Sequence, residues 1–120
     1  MPLIRCDYSP KLIDEPALRA LVKVMLEQSI ETFHSNRDAV SVFTKPYEAV
    51  DHSTAAAEVE VRAKIGEFEG KDRNRNEIRQ EYMSRYKTAL QAYCAMYNLN
   101  SPIIFTITFE DWQVAVVSSR

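Results

Sequence analysis

Proline at position two offers the most specific chemistry in this sequence. The chain opens Met1-Pro2, and a small second residue favours removal of the initiator methionine. The mature chain then starts on a secondary amine. Such an amine titrates near neutrality once its surroundings lower its pKa, and it can then act as a general base. The run Leu3-Ile4-Arg5-Cys6-Asp7-Tyr8 behind it reads as a strand that would hold the nitrogen rigidly. Met-Pro is also simply a permitted start, so the rest of the chain has to supply the site.

Arg73 and Arg75 are the next candidates. They fall where a second helix begins, and a guanidinium at a helix N-terminus can clamp a carboxylate beside free backbone N–H groups. The alternative is a solvated helix start, with Arg75 paired to Glu77 or Arg79 to Glu81. Acidic residues interleave the tract Lys71-Asp72-Arg73-Asn74-Arg75, and the net charge is −2, which argues against nucleic-acid binding. Gly66-Glu67-Phe68-Glu69-Gly70-Lys71-Asp72 fails as a phosphate loop. Its glycines are too close, Asp follows the lysine, and two glutamates would repel phosphate.

Other chemistry-bearing residues point inward or nowhere. Cys6 and Cys94 stand far apart, as neither a disulfide framework nor a metal pair. His34 and His52 have no neighbouring ligands at metal spacing, and no Ser-His-Asp or Cys-His arrangement is supported. Tyr82, Tyr86, Tyr93 and Tyr97 recur at helical spacing, which reads as core with hydroxyls reaching its edge.

Positioning these residues requires a small set of elements. With 120 residues, 46% of them hydrophobic and 27% charged, the chain fits one globular domain, 1–120. No apolar run is long enough to cross a bilayer and no signal peptide is visible, so a cytoplasmic protein is expected. Residues 2–8 predict a strand. Asp14-Glu15-Pro16 starts a helix over about 15–34, with Leu18, Leu21, Val22, Met25, Ser29 and Phe33 as its apolar stripe. Ala39 to Lys45 predicts a second strand, stopped by Pro46. Glu58 to Ile65 alternates without fault, with Val59, Val61, Ala63 and Ile65 facing the core. Asp72 caps a second helix, with Ile78, Tyr82, Tyr86, Ala89, Tyr93 and Met96 on one face, and Asn98 to Pro102 ends it. Ile103 to Phe109 is the fourth strand, and Trp112 to Val117 a candidate fifth.

The order is β-α-β twice, an α/β (α+β) class. Each unit should be a right-handed parallel crossover, so a four-stranded sheet carries both helices on one face. Its other face would bear Glu58, Glu60, Arg62 and Lys64, either solvated or matched to another subunit.

A chain opening on Pro2, with two such units and an arginine after the third strand, resembles the tautomerase superfamily. Within it the sequence is most similar to the 5-carboxymethyl-2-hydroxymuconate isomerase family. The resemblance is carried by Met1-Pro2-Leu3-Ile4 and by Val61-Arg62-Ala63-Lys64-Ile65-Gly66, leading to Arg73 and Ile78-Arg79-Gln80. It implies a homotrimer whose sheets face inward. It also implies a cofactor-free and metal-free keto–enol isomerisation of a small unsaturated or 2-keto carboxylic acid. Pro2 would then be the base, with Arg73 or its rival Arg75 binding the carboxylate. The family's second-strand arginine has no counterpart here. Ser41 stands near its position, with Arg37 or Lys45 as possible substitutes. Two other readings stay open: the same trimer with a degenerate site serving as a binding protein, and a ferredoxin-like ligand-binding dimer with no use for Pro2.

Overall fold

A computed structural model describes residues 3–33, 36–64 and 75–110. Its elements are β1 (Leu3–Tyr8), α1 (Glu15–Phe33), a 3-10 turn (Arg37–Ala39), β2 (Ser41–Pro46), β3 (Ala57–Lys64), α2 (Arg75–Met96) and β4 (Ile103–Glu110). The sheet order is β2-β1-β3-β4. Parallel pairs β1–β2 and β3–β4 belong to the two β-α-β units, and an antiparallel β1–β3 seam joins them.

Local chemistry explains the boundaries. Asp14 caps α1, its Oδ1 accepting the Ala17 N–H at 2.9 Å, which satisfies a donor that the first helical turn leaves without a partner. α2 stops in a Schellman turn. Asn98 takes a positive φ of 53°, its N–H reaches the Ala95 carbonyl, and the Leu99 N–H reaches that of Cys94. Asparagine tolerates that conformation where glycine is the usual choice. β2 starts at Ser41 rather than at 39, because residues 37–39 close a 3-10 turn in which Ala39 N–H donates to the Asn36 carbonyl. Pro46 still pairs in register with Tyr8, as an edge strand allows. The expected cap Asp72 and the candidate strand 112–117 lie outside the described residues.

Both helices cover one face of the sheet, where Ile4, Cys6, Val59, Val61 and Ala63 are buried. The helices also pack on each other. Phe33 meets Tyr82 edge-on at 5.5 Å between ring centroids, Ser29 Oγ and Tyr86 Oη share a hydrogen bond of 2.6 Å, and Tyr93 Oη donates to the Ala17 carbonyl at 2.6 Å. The Tyr86 ring stacks on Phe105 of β4 at 4.8 Å.

This second packing partner rotates α1 from the orientation its stripe predicts. Ala17, Leu21, Met25, Ser29, Thr32 and Phe33 are buried, while Leu18 and Val22 are only half-buried. On α2, Tyr82, Tyr86, Leu90 and Tyr93 are buried, but Met96 is 75% exposed. The chain turns away at that point, and Leu99 packs on the core instead.

Candidate active site

Parallel and antiparallel pairing together bring many element ends to one end of the sheet. Leu3 pairs with Ser41 on one side and with Arg62 on the other, and Arg62 pairs with Thr108. α1 and α2 run antiparallel, since Ala17 meets Tyr93 while Phe33 meets Tyr82. α1 leaves the Tyr8 end of β1 and returns toward the Leu3 end. The starts of β1, β2 and α2 therefore gather with the ends of α1, β3 and β4.

Leu3 begins an interior strand and is half-buried there. On the face away from the helices, the row at this end reads Ser41, Leu3, Arg62, Thr108. Ser41 is half-buried and Arg62 exposed. The Arg62 guanidinium is engaged by the Glu60 carboxylate two residues back on the same face. The next row reads Phe43, Arg5, Glu60, Thr106, and the third Lys45, Asp7, Glu58, Ile104. Phe43 is 57% exposed and Ile104 49%, so this face carries uncovered apolar groups among alternating charges.

The residues singled out from sequence are distributed unevenly around this end. Pro2 and Arg73 lie outside the described residues. Arg75 is the first residue of α2, and its backbone belongs to the same end of the sheet. Ser41 is in register with Leu3 on the open face. Arg37 sits in the 3-10 turn before β2, but it lines a groove between α1 and β2 on the helix side, so the structure does not bring Arg37 and Ser41 together. In the sequence Arg62 is one of four charges on an outer face and part of the passage that carries the resemblance, with no role in the site. Its place beside Leu3 follows from strand register, which a single strand's alternation cannot show.

A polar pocket of about 310 Å³ lies at the opposite end of the sheet, where the chain after β2 folds over β1 and β3. Asp7, Lys45, Tyr47, His52, Ser53 and Glu58 are among its walls. The Tyr47 hydroxyl is buried without a hydrogen bond of normal geometry. Burial raises its pKa, and the nearby Ser53 hydroxyl acts the other way.

The buried thiol and phenols are chemically quiet. Burial, helped by the Asp7 charge, pushes the Cys6 thiol up to about 12. Burial also raises Tyr86, opposed by its bond to Ser29. Cys6 is thus no candidate nucleophile.

No family model matches the chain, and no curated protein matches it in sequence. Solved structures do match in architecture. A fused 4-OT wild-type symmetric trimer superposes with a TM-score of 0.66 at 18% identity, covering 98% of this chain and 92% of that one. A 5-carboxymethyl-2-hydroxymuconate delta-isomerase gives 0.65 at 10% identity over 100% and 88%. These likenesses show a tautomerase-like fold. A malonate semialdehyde decarboxylase shares it too, with a TM-score of 0.58 at 11% identity over 98% and 92%. The superpositions show the shared fold, and identities this low do not separate one family with that fold from another. Among the described residues, no helix of this tautomerase-fold chain is long and apolar enough to cross a membrane.

Proposed function

We propose that the protein is a cofactor-independent keto–enol tautomerase of the cytoplasm, acting on a small unsaturated or 2-keto carboxylic acid. The carrying observation is the setting of Leu3. It opens an interior strand, is half-buried, and stands between Ser41 and Arg62 at the end where α2 begins. Pro2 is bonded directly to Leu3. With Met1 removed, Pro2 takes a proton from the carbon next to the carbonyl and returns it at the other end of the enol. Arg73 or Arg75 holds the substrate carboxylate, with Ser41 as a further donor. Arg62, already paired with Glu60, adds a guanidinium on the third strand to the row that holds Leu3 and Ser41. Burial at the sheet edge and the arginine of the helix start oppose protonation of the amine and keep free base available near neutrality.

In this reading the chain is a single unit of the 5-carboxymethyl-2-hydroxymuconate isomerase type, on the strength of Met1-Pro2-Leu3-Ile4 and the passage from Val61 to Gly66. It assembles as a homotrimer through the open face, where Phe43 and Ile104 lie uncovered and Arg5 and Glu60 offer both charges. The test joins an intact mass with hydrogen exchange of 2-keto acids in D2O followed by NMR. Processed protein should exchange the carbon-bound protons, and protein retaining Met1 should not. Equal exchange by both forms would remove Pro2 from the mechanism. No exchange by processed protein across the series would leave a trimeric binding protein as the better account.

A further inference from the structure

We propose that the groove between α1 and the edge of β2 binds a free medium-chain alkyl carboxylate. Its carboxylate would rest on Arg37 and its chain would run along α1. The site lies on the helix side of the sheet, so it is separate from the face and strand row used above. Leu18, Val22 and Leu26 follow one another at four-residue spacing and so share one face of α1. They are half-buried, outside the fully buried stripe, and Val42 of β2 faces them across a groove of about 520 Å³. From Leu18 to Leu26 the helix rises about 12 Å, which suits an extended alkyl chain rather than a compact acid.

Charge on the walls selects the sign of the ligand. Arg19, Lys23 and Arg37 line the groove against a single acid, Glu15. Arg19 is already held by Glu15 at 2.8 Å, and Lys23 lies 4.0 Å from Glu27. Arg37 makes no ion pair or side-chain hydrogen bond among the described residues, so its guanidinium is available at the end of the groove past Leu26. An added peptide strand fits this edge poorly. β2 has only six residues and ends in Lys45 and Pro46, the kind of residues that discourage strand addition.

The experiment titrates 15N-labelled protein with sodium decanoate below its micelle concentration, alongside decanol and decyltrimethylammonium. Decanoate should move the amides of Val22, Leu26, Arg37 and Val42, and the cationic probe should not. Arg37→Gln should weaken decanoate about fivefold, the upper end for one ion pair at an exposed position, while leaving decanol unchanged. Val22→Glu should abolish decanoate binding with the remaining spectrum intact. Lys87→Gln, in the other apolar groove between α2 and β4, should have no effect. Shifts gathered around Leu90 and Phe105, equal response to the cationic probe, or an Arg37→Gln protein that binds decanoate normally would overturn the proposal.

Discussion

The two faces of the sheet are made by the same strands and follow opposite rules. Toward the helices β1 presents Ile4 and Cys6, and β3 presents Val59, Val61 and Ala63, all buried. Away from them the same strands present Arg5 and Asp7, and Glu58, Glu60 and Arg62. The first face is closed by the packing of two helices, which are hydrogen-bonded to each other. The second has no covering element among the described residues and exposes Phe43 and Ile104. Stability therefore resides on one face, and the other is the face proposed above to carry association and chemistry. The two edges differ in the same spirit. β2 is short and ends in Lys45-Pro46, whereas β4 runs eight residues and meets its first charge only at Glu110.

Substitutions can test that division, beginning with the largest effect on stability. Leu21 of α1 is fully buried in the core. Leu21→Ala should cost about 2–5 kcal/mol in urea denaturation, since a close-packed core relaxes only partly around a cavity.

A smaller loss is expected where the core is polar. Ser29→Ala leaves the Tyr86 hydroxyl buried without its partner, at a cost of about 1–3 kcal/mol. Adding Tyr86→Phe should recover part of that loss, because the orphaned group goes with it. A double variant as unstable as the sum of the singles would mean that Tyr86 finds another partner.

pH reaches the core face through Cys6. Folded, its thiol holds its proton to about pH 12, whereas the unfolded chain releases it near pH 8.5, the ordinary value of about 8.5 for cysteine. Above that pH the unfolded state binds fewer protons, so stability should fall as pH rises and be unaffected below it. Tyr86 and Tyr93, also raised by burial, should deepen the decline above about pH 10. Cys6→Ala should flatten its lower part in denaturation curves taken across this range.

The open face should respond least in stability. Phe43→Asp, measured dilute, should change unfolding by no more than ~0.5 kcal/mol. Sedimentation velocity should nevertheless show it shifting a trimer toward monomer. Unchanged sedimentation would sink the role proposed for that face.

Much of the fold was legible in the sequence because alternation on β3 and the two β-α-β units are local signals. The helices were less so. Leu18 and Val22 match the stripe of α1 as well as Ala17 and Thr32 do, and only the presence of α2 decides which of them is buried. Sheet order was not legible at all, as nothing local to Leu3 says that it lies between Ser41 and Arg62. For the same reason the sequence does not set Arg62 apart from the other outer charges of its strand, and it gives no sign of the polar pocket, which is gathered from three separate segments. Chain proximity offered Arg37 as a neighbour of Ser41, although side chains on opposite sides of a sheet do not meet.

Tyr86 belongs to the second β-α-β unit, yet its hydroxyl is bonded to Ser29 of the first and its ring lies on Phe105 of the second. Tyr93 ties the units again at Ala17. The apparent duplication of the chain therefore has no thermodynamic counterpart. Neither half keeps its own interior once the other is removed, and the backbone amides of α1 and α2 should exchange with solvent through one shared opening rather than two.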